Sequence, residues 1–363
     1  MKKLLIGILL TVAALAAAPK VETTIKTQPG PWTFCSDPVS GKVYCSNVGG
    51  ECVSIFDPKT NISLGSLDIG ADPRVLCFNP RTNQVLCVNR VPQTVTIYDA
   101  GADTLVRVLP VGEGAQALCV GLKSGMVYCA NWGGAMTPES TVTVIDPAGE
   151  NVAATLVVGK EPKALCYNPQ NDRVYCACSW DNKVAVIDAG TNKVTALLAA
   201  GEIPYALAFD SLRNRVYCAN KGSNYDPDST ITIIDCASGK VTGSLIAGGQ
   251  PDALCISSAC DKLYCANRLT STVSVISLAT GKTLATVETG AHPMSLCLNP
   301  HSGNVYCVNI AEGTVTVIDG REDKVLTTLA TGNGPVAAWF NPVNNMVYVA
   351  NADDASVSVI SDQ

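Results

Sequence analysis

A five-residue motif recurs eight times along the chain, and this repeat constrains the fold more than any other feature. In most copies the motif reads Val-Tyr-Cys, then a small residue, then Asn. Its third position falls at Cys45, Cys87, Cys129, Cys176, Cys218, Cys265, Cys307 and Val349. Successive copies are 42 residues apart, except at two places where the interval is 47. A period of this length indicates an array of similar structural units.

Each unit contains four short apolar or alternating runs separated by turn residues. Examples of the first, third and fourth runs are 162–166, 141–146 and 193–198, and the motif itself is the second run. Such runs predict β-strands. Four strands in a unit of this length suit one blade of a β-propeller, because a blade has two apolar faces and needs a neighbour on each. We therefore predict an all-β fold, a single closed propeller of eight four-stranded blades, with seven blades as the alternative.

The two ends of the chain together supply one complete unit. The eighth unit has only three runs at the C-terminus, 335–340, 347–351 and 356–360. The segment 20–27, KVETTIKT, matches the fourth run of the seventh unit, KVLTTLAT at 324–331. We expect the N-terminal strand to complete the last blade, which avoids an unpaired strand edge where the ring closes. No linker interrupts the period, so residues 19–363 are predicted to form one propeller domain.

The first 18 residues have a basic start, an apolar centre and an Ala-rich end, which is typical of a secretory signal peptide. We therefore expect an exported protein, periplasmic or extracellular. The apolar stretch is too short to favour a membrane span, and no later segment offers about 20 uncharged apolar residues. The formal charge of −6 does not indicate nucleic-acid binding, which would need a local basic patch. We expect a monomer.

The chain has 17 cysteines, and in an exported protein this number suggests disulfides. Six pairs are ten residues apart, each joining the first and second strands of one unit: Cys35 with Cys45, Cys77 with Cys87, Cys119 with Cys129, Cys166 with Cys176, Cys255 with Cys265, and Cys297 with Cys307. We predict cross-strand disulfides at these pairs. The alternative is that the thiols stay reduced and act as small apolar core residues. Neither a Cys-x-x-Cys nor a haem-attachment motif is present, so no metal or cofactor is predicted.

The motif variants connect the chain to a known family. They read VYCSN, VLCVN, VYCAN, VYCAC, LYCAN, VYCVN and VYVAN. With them the chain resembles the YVTN family of β-propeller proteins over nearly its whole length. Two departures are the Cys in place of the family's usual Val and eight units in place of the usual seven. The resemblance implies the fold, but it leaves function open, because the family includes exported binding proteins and, more distantly, propeller lactonases and dehydrogenase subunits.

The repeat separates scaffold residues from candidate site residues. Positions shared by most units, such as the motif Asn and the Asp that ends the third strand, are expected to form corners and turns. Variable positions lie in the loop that leads into the first strand, here called the leading loop, and in the loop after the motif Asn, here called the motif loop. Both loops open on one face around the central channel. The predicted ligand-binding residues on this face are Trp32, Arg74, Arg90, Trp132, Lys163, Trp180, Tyr205, Lys221 and Arg268.

Tryptophan and arginine are typical of binding hot spots, and aromatic rings with cations suit sugars, nucleobases or anionic chains. Asp252 and His292 are the only acid/base pair that can be nominated on this face, and Asn224, Asp226 and Asp228 could contact Ca²⁺. We predict an exported, non-catalytic propeller that binds an unknown ligand or protein partner at the channel mouth, with a polyanion or a carbohydrate as the ligand class. The alternatives are a lactonase-like enzyme, a subunit of an exported oxidoreductase, and a structural cell-surface protein.

Overall fold

The computed structural model describes residues 18–134 and 137–362. Its strands form eight four-stranded antiparallel sheets, which are the blades. Blade 1 contains β2 (Pro31–Ser36), β3 (Val43–Asn47), β4 (Cys52–Asp57) and β5 (Ile62–Asp68). Blade 2 contains β6 (Pro73–Asn79), β7 (Gln84–Asn89), β8 (Thr94–Asp99) and β9 (Thr104–Pro110). Blade 3 contains β10 (Ala115–Val120), β11 (Val127–Gly134), β12 (Thr137–Ile145) and β13 (Val152–Val157). Blade 4 contains β14 (Pro162–Asn168), β15 (Arg173–Cys178), β16 (Lys183–Asp188) and β17 (Lys193–Ala199).

The second half of the chain continues the same pattern. Blade 5 contains β18 (Pro204–Asp210), β19 (Arg215–Asn220), β20 (Thr230–Asp235) and β21 (Lys240–Ile246). Blade 6 contains β22 (Pro251–Ser257), β23 (Lys262–Asn267), β24 (Thr272–Ser277) and β25 (Thr283–Glu288). Blade 7 contains β26 (Pro293–Leu298), β27 (Val305–Asn309), β28 (Thr314–Asp319) and β29 (Lys324–Ala330). Blade 8 contains β30 (Pro335–Asn341), β31 (Met346–Asn351), β32 (Ser356–Ser361) and β1 (Lys20–Lys26), with a short 3₁₀ helix at Ala352–Asp354.

The N-terminal strand closes the ring. The strand order in blade 8 is β1-β32-β31-β30, and β1 pairs antiparallel with β32, with Val21 opposite Ile360 and Ile25 opposite Val357. The prediction of eight blades with an N-terminal closing strand is therefore confirmed. Most of the predicted signal peptide, 1–18, lies outside the described residues. Among the described residues, no helix is long and apolar enough to cross a bilayer.

The core lies between the blades. The motif strands β3, β7, β23 and β27 are buried along their whole length, because each blade face is covered by the next blade. The outer strand β17 instead alternates between exposed and partly buried residues, as expected for a strand with one solvent-exposed face. Neighbouring first strands contact one another around the ring, which places them at the central channel. Their first residues therefore form the channel mouth.

The predicted disulfides are wrong. Cys35 lies opposite Tyr44, and Cys45 lies opposite Phe34. Adjacent residues of a strand point to opposite faces, so Cys35 faces blade 2 and Cys45 faces blade 8. The same one-residue offset separates the other five predicted pairs. All 17 cysteines lie in the described residues and are free thiols, most of them buried, so the alternative of reduced core residues is the correct one.

Candidate ligand-binding site at the channel mouth

A repeated backbone hydrogen bond brings the leading loop and the motif loop of each blade together. In all eight blades the residue before the first strand has a positive φ, and its carbonyl accepts a hydrogen bond from the backbone N–H of the residue after the motif, whose last residue is Asn in every blade but blade 4. In blade 2, for example, Arg90 N donates to Asp72 O at 3.0 Å. The second residue of each first strand and the first residue of each motif loop are therefore neighbours. The variable side chains at these two positions surround the channel mouth.

The channel mouth contains a cavity of about 380 Å³. Its lining residues come from blades 1, 2, 3, 4, 5 and 7 and are Trp32, Arg74, Val75, Arg90, Ala115, Gln116, Lys163, Tyr205 and Met294. Five of the nine predicted ligand-binding residues are among them. The volume lies within the usual range of small-molecule pockets, roughly 300–1,000 Å³.

Cations cover the aromatic rings around this cavity. The Arg74 guanidinium lies 4.6 Å from the centroid of the Trp32 ring, and Lys221 Nζ lies 4.0 Å from that of Tyr205. Two cations share Trp132, with Lys163 Nζ at 3.5 Å and the Arg90 guanidinium at 5.6 Å from its ring. Each such contact contributes roughly 0.5–2 kcal/mol, depending on how far it is removed from water. The contacts hold the long cationic side chains in place beside the cavity.

Two carboxylates neutralise three of the five predicted cations. Asp72 pairs with Arg74 at 2.6 Å. Asp252, whose side chain is only 3% exposed, pairs with Lys221 at 2.6 Å and with Arg268 at 3.4 Å. Within the described residues Asp252 bonds these two cations, and no ion pair joins it to His292, which is exposed. The role of Asp252 in the structure is to hold Lys221 and Arg268 together.

Lys163 and Arg90 have no ion pair within the described part of the chain. Burial lowers the pKa of Lys163 below its ordinary value; Glu161 opposes this effect, whereas the nearby Arg90 and Lys221 add to it. The ammonium group is thus partly removed from water and repelled by two like charges. This arrangement is unfavourable for the isolated protein and would be relieved by an anion.

The structure connects eight of the nine predicted residues and separates one. Trp32, Arg74, Arg90, Lys163 and Tyr205 share the cavity, Trp132 lies against Lys163, and Lys221 and Arg268 are joined through Asp252. Trp180 does not line the cavity and is 62% exposed. Of the nominated calcium ligands, Asp228 accepts hydrogen bonds from the backbone of Glu202, Ser229 and Thr230 and so stabilises its own loop.

The chain also contains a larger cavity, about 560 Å³, which adjoins Ala18 and includes His301 and Asp362. The Asp362 carboxylate is already bound by Asn299, Ser302 and Asn304, and the His301 ring packs 5.8 Å from that of Phe340. The carboxylate and the imidazole of this cavity are therefore both engaged in structural contacts. The smaller cavity at the channel mouth, with its two unpaired cations, is the stronger candidate site.

No family model matches the chain, and no curated protein matches it in sequence. Its fold is nevertheless similar to solved structures. Hydrazine synthase of Kuenenia stuttgartiensis superimposes with a TM-score of 0.63 and 16% identity, over 93% of this chain and 96% of that one. Dihydro-heme d1 dehydrogenase NirN, solved in complex with DHE, gives a TM-score of 0.73 and 16% identity, over 94% of this chain and 75% of that one. At this identity the similarity concerns the fold alone, and the protein is an eight-bladed β-propeller.

Proposed function

We propose that this protein is an exported, non-catalytic propeller that binds an anionic ligand at its channel mouth. The observation that carries the proposal is the pair of cations Lys163 and Arg90. Both lie against Trp132, both line the cavity, and neither has an ion pair within the described residues. An unpaired cation held partly out of water is unfavourable unless something compensates it. A bound anion would supply that compensation in a protein whose overall charge is negative.

The contacts favour an anion over a carbohydrate. Sugars bind aromatic side chains by stacking on their ring faces, but cations already lie over Trp32, Trp132 and Tyr205. A carbohydrate would have to displace these cations, whereas an anion would contact them directly. Trp180 remains exposed, but it lies apart from the cavity. The polyanion or carbohydrate expected from the sequence is therefore narrowed in this proposal to an anion.

The proposal is tested with dextran sulfate and neutral dextran, which share a sugar backbone and differ in charge. We expect calorimetry to detect binding of dextran sulfate alone, weakening steeply as salt is raised. The double variant Arg90→Gln/Lys163→Gln should lose at least tenfold in affinity, about 1.4 kcal/mol. The matched control Arg107→Gln/Lys193→Gln removes one Arg and one Lys from the exposed outer strands β9 and β17. Equal binding of both dextrans, or an equal loss in the control, would refute the proposal.

A subunit role in an exported oxidoreductase is the second candidate. It is supported by the structural neighbours, since one is named a hydrazine synthase and the other a dehydrogenase. NirN was solved with DHE, so haem is a suitable probe. A shift in the absorption spectrum of added haem that is absent with Arg90→Gln/Lys163→Gln would favour this candidate.

We also infer that the chain is a divergent YVTN-type repeat protein, an interpretation supported by its motif variants alone.

A further inference from the structure

The channel mouth has two unlike sectors. Blades 2, 4, 5 and 6 contribute the cations described above. Blades 7 and 8 contribute only apolar side chains at the equivalent leading-loop and motif-loop positions, namely Met294, Ile310, Val336 and Ala352. Met294 lines the cavity. Val336 belongs to the buried core cluster between blades 8 and 1, and Met294, Ile310 and Ala352 pack against that cluster as partly buried residues, as does Trp32. We call Met294, Ile310, Val336 and Ala352 the apolar sector.

The fold does not require this difference between the sectors. Ile310 N and Ala352 N donate to the carbonyls before β26 and β30, at 3.3 and 2.9 Å, just as Arg90 N does in blade 2. The backbone is therefore equivalent in the charged and the apolar blades, and only the side chains differ. The backbone hydrogen bonds of the scaffold would therefore allow polar side chains in the apolar blades as well as in the charged ones. Val336 serves the core between the blades, whereas Met294 lines the cavity and Ile310 is partly exposed beside it, so these two supply the apolar surface at the mouth.

We infer that the ligand is a small amphipathic organic anion. Its anionic head group contacts Lys163 and Arg90, and its apolar body lies against Met294, which lines the cavity, and extends toward the partly exposed Ile310. This inference rests on the proposed function and adds the class of ligand. Three of the five cations here are already paired with Asp72 and Asp252, so even a long polyanion can use only the one or two charges that reach Lys163 and Arg90. A cavity of about 380 Å³ instead suits one compact molecule.

The test is a series of methyl, butyl, hexyl and octyl phosphates, with inorganic phosphate and octanoate alongside, each below its micellar concentration. We expect calorimetric affinity to rise with chain length, by up to about fourfold for each methylene that is buried. Octanoate separates the two head-group chemistries, since a site that requires phosphate will bind it more weakly than octyl phosphate. Equal affinity for inorganic and octyl phosphate would overturn the inference.

A matched pair of variants locates the apolar contact. Met294→Gln/Ile310→Thr replaces two apolar side chains by polar ones, so the gain in affinity with chain length should flatten. The control is Val91→Thr. Val91 is an apolar residue next to Arg90 and is itself 67% exposed, so this change should leave the chain-length series unchanged. Because the chain-length series in the unmodified protein decides the question, poor folding of a variant does not prevent a result.

The two proposals fail in different ways. If dextran sulfate and inorganic phosphate bind but chain length has no effect, the amphipathic ligand is refuted and the anion site stands. If neither dextran sulfate nor any phosphate binds, both are refuted.

Discussion

The motif Asn shows how a repeat can reveal the role of a single residue. In blade 6 the Asn267 side-chain amide donates to Thr272 Oγ1 at 3.0 Å and to Ser274 Oγ at 2.9 Å. Blade 4 has Cys178 in place of the Asn, and its third strand has Lys183 and Ala185 in place of the two hydroxyl residues. Donor and acceptors are thus absent together. This is expected for a buried network, in which a partner left unsatisfied costs about 1–3 kcal/mol.

The lowered pKa of Lys163 predicts how anion binding depends on pH. Its lowered pKa means that it loses its proton at lower pH than an ordinary lysine, whose pKa is about 10.4. Because an anion favours the protonated form, affinity should fall as the pH rises through this lowered pKa, and binding should take up protons in that window. Calorimetry with dextran sulfate, whose charge is constant, measures both effects. Lys163→Arg should remove the fall, and constant affinity of the unmodified protein up to pH 10 would contradict the expectation.

The cysteines mark a limit of inference from sequence. A spacing of ten suggested facing residues, but the hairpin between β6 and β7 encloses four residues between Asn79 and Gln84. With an even number of enclosed residues, facing residues are always an odd number apart, so Cys77 and Cys87 cannot face each other. The number of residues in the turn decides whether facing residues are an odd or an even number apart. The amino-acid composition does not show at which residue the strand pairing ends and the turn begins. Similarly, the sequence predicted the cluster of cations and aromatic rings but not Asp252 as its internal partner.

At the scale of elements, the motif Tyr joins a second strand to the next blade, although blade 2 has Leu86 in its place. The Tyr128 hydroxyl donates to Asn192 Oδ1 at 2.8 Å, and the Tyr348 hydroxyl donates to Asn61 Oδ1 at 2.6 Å. Both asparagines lie in the turn that precedes the fourth strand of the neighbouring blade. Blade 8 has no such turn, because its fourth strand comes from the N-terminus. The C-terminal Asp362 occupies the corresponding place beside Tyr306. Burial raises the pKa of Tyr306 well above its ordinary value, and the Asp362 carboxylate adds to the effect.

We therefore expect Asp362 to stabilise the ring at its seam. The residue is 6% exposed, and its carboxylate accepts hydrogen bonds from Asn299, Ser302 and Asn304 in blade 7. Asp362→Ala leaves these donors without their acceptor and should lower the free energy of unfolding by about 1–3 kcal/mol. Urea denaturation measures the change, with Glu150→Ala, at an exposed turn residue, as control. Identical midpoints for the two variants would show that the C-terminus does not contribute.

At the scale of the whole molecule, the blade count followed from the period because every blade must cover its neighbours. The closing strand followed from the likeness between the segments 20–27 and 324–331. The variable position of the leading loop includes Met294 and Val336, but the apolar sector was not predicted, because only the closed ring shows that Ile310 and Ala352 lie beside them. A closed ring makes every blade depend on the seam, because an open seam exposes two blade faces and the edge of β32 at once.

The last prediction concerns that seam. Ile25 on β1 is 6% exposed and packs in the same core cluster as Val357, whereas Thr24 beside it points to solvent. Ile25→Ala should lower the free energy of unfolding by about 2–4 kcal/mol, as for other large buried side chains, and Thr24→Ala should change it by less than about 0.5 kcal/mol. Deleting residues 20–26 should lower the stability further and promote aggregation through the exposed edge of β32. Urea denaturation and light scattering measure these effects, and a deletion variant that unfolds at the same urea concentration as the intact chain would mean that the ring is held closed without β1.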